Sequence, residues 1–266
     1  MNRIALSLAL AASLAACASN EEKPSASRTS IATAPAGALT VELLTDGRLE
    51  TGLTPIYLKV TDAGGQVVTD ATVTFTPVME MTGGTSHSCP ILGPPTLDAD
   101  GLHHLDVVFN MASGPMSSWT ATVGVTPAGS GTVEASFTAL TVADSGRAKS
   151  FSYTDPNTLA VTKYISSLNF VDPPRVGLNP VIVTLHRMDG AMVFAPVDDA
   201  TFVLTPKMPS MGHGSPGSVN PTLTSTSGVY EGELSFSMAG DWETTVTISI
   251  ASEPLLTAAP KFLTTF

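Results

Sequence analysis

The chain has 266 residues, a net charge of −11 and only 13% charged residues, with 12 Lys plus Arg against 23 Asp plus Glu. An acidic chain of this kind is a poor match for nucleic acid or for an anionic membrane face. Its acidity is otherwise a matter of solubility.

At the N-terminus Arg3 precedes the apolar run Ile4 to Leu14, which is too short to span a membrane as a mature helix and reads as a signal-peptide core. The run ends in Leu14-Ala15-Ala16-Cys17, which resembles a bacterial lipobox. That resemblance implies a signal peptide over 1–16 and a diacylglycerol plus an N-acyl chain on Cys17, enough for stable membrane attachment. Ala18, and not Asp, follows the cysteine; in a Gram-negative cell this favours the outer membrane over the inner. With Cys17 lipidated, Cys89 has no intrachain partner. A free thiol, a metal ligand and an intermolecular bridge stay open for it. Residues 17–38, rich in Ser, Ala, Thr and Pro, are expected to form a disordered tether with an r.m.s. span of roughly 25 Å.

Beyond the tether the pattern is all β. Thr40–Leu43, Ile56–Val60, Ala71–Phe75 and Trp119–Val123 are short runs with β-branched residues, separated by Gly, Pro, Asp and Asn. An internal repeat organises them. Gly52-Leu53-Thr54-Pro55-Ile56 matches Gly177-Leu178-Asn179-Pro180-Val181, and Asp70-Ala71-Thr72 through Thr76-Pro77 and Met79 matches Asp199-Ala200-Thr201 through Thr205-Pro206 and Met208. His87 then matches His213, Phe109 matches Phe236, Met111 matches Met238 and Trp119 matches Trp242. The expected fold is two tandem immunoglobulin-like β-sandwiches over 39–145 and 160–266. A linker over 146–159 joins them, and a short hairpin would fit within it. Gly228-Val229-Tyr230 suggests the tyrosine corner of Greek-key sandwiches, and the first copy has His103 where the second has Tyr230.

No Gly-x-Ser-x-Gly elbow, His-Glu-x-x-His helix or phosphate loop is present, so no enzyme is expected. The loop after each Thr-Pro stands out instead. Met208-Pro209-Ser210-Met211-Gly212-His213 in the second copy, and Met79, Met81, His87 and Cys89 in the first, place thioethers and imidazole among turn-forming neighbours. Such neighbours predict a loop location. Thioether sulfur selects Cu(I), imidazole serves either copper oxidation state, and the scarcity of carboxylates disfavours Ca²⁺ and Mg²⁺. Tyr230, Leu234, Phe236 and Met238 share strand parity, so Met238 is expected to be either the last core residue or the first to point into the loops. Trp119 and Trp242 are expected core anchors, His103 and His104 face opposite sides of a strand, and His186 is structural or exposed.

The sequence Thr205-Pro206-x-Met208-Pro209-x-Met211-Gly212-His213, followed by Gly228-x-Tyr230 and Phe236-Ser237-Met238-Ala239-Gly240-Asp241-Trp242, resembles the YtkA-like and FixH-like domains. Those are small extracytoplasmic sandwiches, often on bacterial lipoproteins. The first copy is a divergent match, with three extra loop residues before His87 and with Cys89 added. The resemblance implies copper handling, a copper-accepting or respiratory-oxidase assembly protein as partner, and Met208, Met211, His213 and Met238 as ligands. Met79, Met81, His87 and Cys89 form a weaker set in the first copy. The rival expectation is a metal-free module that binds protein or polysaccharide of the cell envelope. Met and His side chains converging on one point would favour copper, and thioethers turned into the two cores would favour the module.

Overall fold

The computed structural model describes residues 28–266. The expected signal peptide, Cys17 and the tether up to residue 27 lie outside the described residues. Among the described residues there is no helix. The first half contains β1 (Thr29–Ala36), β2 (Leu39–Thr45), β3 (Gly52–Thr61), β4 (Thr72–Met81), β5 (Thr85–His87), β6 (Thr96–Leu97), β7 (His103–Phe109), β8 (Ser117–Thr126) and β9 (Val133–Leu140). The second contains β10 (Ala148–Thr154), β11 (Val161–Phe170), β12 (Gly177–Gly190), β13 (Val193–Pro196), β14 (Ala200–Met208), β15 (His213–Gly214) and β16 (Val219–Leu223). It ends with β17 (Val229–Phe236), β18 (Asp241–Ile250), β19 (Glu253–Ala258) and β20 (Lys261–Thr265).

Each half is a β-sandwich of two antiparallel sheets. In the first, the sheet β1-β2-β3-β7-β6 faces β5-β4-β8-β9; in the second, β10-β11-β12-β17-β16 faces β15-β14-β18-β19, with β20 also on β18. The strand order is thus shared, and so is the register at matched positions. Gly52 pairs with Phe109 as Gly177 pairs with Phe236, and Leu97 pairs with His103 as Leu223 pairs with Tyr230. Alternation explains the burial: β3 alternates buried and half-buried along its whole length, and β14 alternates exposed and buried. Each sandwich closes over its own apolar core. One centres on Leu43, Ile56, Phe75, Phe109 and Trp119, the other on Leu185, Phe202, Phe236 and Trp242.

Three expectations need correction. The tether does not extend to residue 38, because β1 pairs with β2 from Thr29↔Thr45 to Ala36↔Leu39. Gly37, at φ +61°, makes the turn, and Ala34 and Ala36 are buried. Small residues give this segment a linker's composition, yet they fit a strand that lies close to β9. The second sandwich also begins before residue 160: the hairpin that would fit within 146–159 turns at Asp155-Pro156-Asn157, and its first arm, β10, is the edge strand of the β10-β11-β12-β17-β16 sheet. Nor is Tyr230 a local tyrosine corner. Its hydroxyl donates to the Val197 carbonyl (2.7 Å), 33 residues upstream, and accepts from the Ala200 N–H (3.2 Å).

Candidate functional site

The site begins with strand parity. Along β4 the inward positions are Val73, Phe75, Pro77 and Met79, and along β14 they are Phe202, Leu204, Pro206 and Met208. Met79 and Met208 therefore enter the cores, at 0% and 2% exposure, and do not sit in loops as their neighbours had predicted. The turn formers act only afterwards. Met211 and Gly212 donate their N–H groups to the Met208 carbonyl (3.3 and 2.9 Å), and Gly212 adopts φ +70°. The reversal feeds β15, which sets His213 opposite Met208, just as β5 sets His87 opposite Met79.

Each histidine meets a tryptophan edge-on. The ring centroids of His87 and Trp119, and those of His213 and Trp242, are 5.7 Å apart, with interplanar angles of 89° and 77°. Each indole N–H then donates to a methionine carbonyl, Trp119 to Met111 (2.9 Å) and Trp242 to Met238 (3.0 Å). These two methionines are exposed, because β7 ends at Phe109 and β17 at Phe236, before alternation can carry them inward. Of the two expectations for Met238, the loop-facing one is the outcome.

The histidine hydrogen bonds fix the chemistry further. His87 Nδ1 lies 2.8 Å from the Ser88 carbonyl, and His213 Nδ1 lies 3.0 Å from the Gly214 carbonyl. A carbonyl only accepts, so Nδ1 carries the proton in each neutral ring and Nε2 keeps a free lone pair. That is the tautomer in which metal-binding imidazoles are usually held. In the second sandwich His213 is half-buried, and Met211 is 63% exposed. Ser210 Oγ donates to Asp241 Oδ1 (2.6 Å), tying the Met211 turn to the turn that carries Met238. Met211, His213 and Met238 thus share one end of the sandwich. Met208 lies beneath them against Gly240, where a Cβ would come within 2.9 Å of its terminal methyl.

The first-sandwich set separates. Met79 and Cys89 are core residues, and Met81 is half-buried against the same core. Burial pushes the Cys89 thiol well above its ordinary value, so it stays protonated. At 3% exposure Cys89 is packed as a small apolar side chain and has no exposed face for an intermolecular bridge. His87 instead borders a cavity that Asn110, Met111 and Met188 also line. No sequence pattern pointed to Met188 there, since it arrives from the other sandwich. Among the described residues no three His, Cys, Asp or Glu side chains form a metal-holding group. A metal site in them would have to draw on thioethers.

These strands and turns can be compared with known families. Residues 158–247 match the YtkA-like family model. The matched segment opens just before β11 and closes within β18, so the YtkA-like domain includes Met208, Met211, His213, Met238 and Trp242. No curated protein matches the chain.

Proposed function

We propose that this is a non-catalytic extracytoplasmic accessory protein, held at a bacterial membrane by a lipid on Cys17, whose YtkA-like domain binds Cu(I). The ligands are Met211 Sδ, His213 Nε2 and Met238 Sδ, and the ion passes to a copper-accepting or respiratory-oxidase assembly protein. In a Gram-negative cell the membrane is the outer one. The family match supports the coarser part, an extracytoplasmic accessory role. The observation that carries copper is the free Nε2 of His213, fixed by the Gly214 carbonyl at the end of the domain where two exposed thioethers also lie. One imidazole with two thioethers is a soft donor set suited to Cu(I). The test is a Cu(I) titration of the soluble chain against a competing chelator. A Met211→Ala, His213→Ala, Met238→Ala variant should lose affinity for one equivalent by more than about 100-fold, and unchanged affinity overturns the assignment.

A metal-free envelope-binding module is the second reading. It is favoured by the burial of Met79 and Met208 and by exposed Val203 and Leu263 on the β14-β18-β20 sheet. It requires that copper leave thermal stability unchanged, because a ligand of the native state must raise it by mass action.

A further inference from the structure

The two sandwiches touch at several points. The Leu53 N–H donates to Asn169 Oδ1 (2.9 Å), and the Ser88 N–H donates to the Ala191 carbonyl (2.8 Å). Next to the second contact lies a cavity of about 310 Å³. His87, Asn110 and Met111 border it from the first sandwich, and Phe151, Tyr164 and Met188 from the second.

Two polar atoms of these bordering residues are buried without a partner, His87 Nε2 and Asn110 Oδ1. His87 is only 8% exposed, and its Nδ1–H is already committed to the Ser88 carbonyl, so Nε2 presents a lone pair. Leaving such a group unsatisfied is unfavourable, because it has given up its water without gaining a partner. Both orphans are acceptors, so whatever satisfies them must be a hydrogen-bond donor or a Lewis acid. An anion would satisfy neither.

The remaining donors decide between those two. Met111 and Met188 bring thioethers, which are weak hydrogen-bond acceptors but good ligands for a soft ion. Among the described residues no carboxylate lines the cavity, so a hard divalent cation lacks its ligands there. Burial raises the Tyr164 hydroxyl above its ordinary range and keeps it neutral. Among the described residues that line the cavity the charged one is Lys163, which pairs with Met188 across β11 and β12 and is exposed, so water screens it.

We infer that the junction is a second Cu(I) site, with His87 Nε2, Met111 Sδ and Met188 Sδ as ligands. Because Met188 comes from the other sandwich, the site is complete only when the two are docked, and the ion fastens them together. The inference rests on the reading of this chain as a Cu(I) protein, but it shares no ligand with the Met211, His213 and Met238 end.

The test uses the whole soluble chain and Cu(I) alone under anaerobic, reducing conditions with a competing chelator. Wild type is expected to bind two equivalents. A Met111→Leu, Met188→Leu variant keeps side-chain volume and should keep its fold. It should bind one equivalent normally and the other at least roughly tenfold more weakly. Replacing Met211, His213 and Met238 should spare the junction equivalent. Two unaltered equivalents in the Met111→Leu, Met188→Leu variant overturn the junction site, whatever the end variant does. A single wild-type equivalent that only the end variant abolishes overturns it too. Ag(I), a redox-inert stand-in, adds a direct readout: the ¹⁵N resonance of His87 Nε2 should shift on titration, and a resonance that stays in place overturns the assignment.

Discussion

At the scale of single residues, the methionines show how parity outranks neighbours. Pro209, Ser210 and Gly212 after Met208 point to a loop, yet the alternation Phe202, Leu204, Pro206, Met208 carries that side chain inward. Met238 shows the opposite: parity with Phe236 pointed inward, but the strand ends at Phe236 and the alternation ends with it. The histidines were legible because the repeat aligns His87 with His213. Their tautomer was not, because it depends on a carbonyl one residue away whose direction no side-chain pattern records. Core and ligand methionines should separate in experiment. Met208→Ala removes a fully packed side chain and should cost about 2–5 kcal/mol of stability while the folded protein keeps its Cu(I) affinity. Met211→Ala should stay within about 0.5 kcal/mol of wild type and weaken Cu(I) binding. Urea unfolding beside the chelator titration checks both, and equal stability losses in the two variants would contradict the assignment.

At the scale of elements, the strands that alternated clearly were the ones legible in advance, and Thr40–Leu43, Ile56–Val60, Ala71–Phe75 and Trp119–Val123 fall on β2, β3, β4 and β8. The strand that was missed, β1, was hidden by its composition. It is half of a hairpin that extends a sheet edge, and it is built mostly from small or polar residues whose composition matches a linker. In β1, Pro35 is tolerated because one face of an edge strand makes no ladder bonds. Its contribution to packing comes from Ala34 and Ala36, buried against the first core, and from partly buried Ile31. A chain beginning at Leu39 should lose about 2–3 kcal/mol from the first sandwich, from the apolar area these residues bury. It would also expose the backbone edge of β2 and be prone to pairing with other chains. Thermal denaturation and light scattering measure the two effects. A shortened chain with unaltered melting and no self-association would show that β1 contributes nothing to the sandwich.

At the scale of the whole molecule, the repeat made the two-sandwich plan and the shared strand order readable, because duplicated positions preserve the spacing that sets the register. The junction was not readable: Leu53 with Asn169 and Ser88 with Ala191 follow no periodicity, and such contacts are set only when two finished sandwiches dock. The acid stability of the molecule depends on a similarly hidden feature. His186, which a strand pattern alone left as structural or exposed, is buried at 3% exposure in β12 with Nδ1 unpaired. Gly228 packs over it, where a Cβ would come within 3.2 Å of its ring. Burial lowers its pKa to about 4, with Asp198 pulling weakly the other way. Its ordinary pKa in an unfolded chain is about 6.5, so between about pH 6.5 and 4 the unfolded state binds a proton that the folded state refuses. Stability from this group is complete above that window and falls as pH drops through it, by about 2 kcal/mol between pH 7 and pH 5. Burial lowers His103 in the first sandwich as well, in the same sense, whereas the hydrogen bond to Asp106 raises His104 and opposes it. The two sandwiches have separate cores, so unfolding is best followed as two transitions. The transition of the second sandwich should shift to lower denaturant on going from pH 7 to pH 5, and a His186→Leu variant should flatten that dependence. A second transition that ignores pH over this range in the wild-type chain would mean that His186 accepts its proton in the folded sandwich as readily as in the unfolded chain.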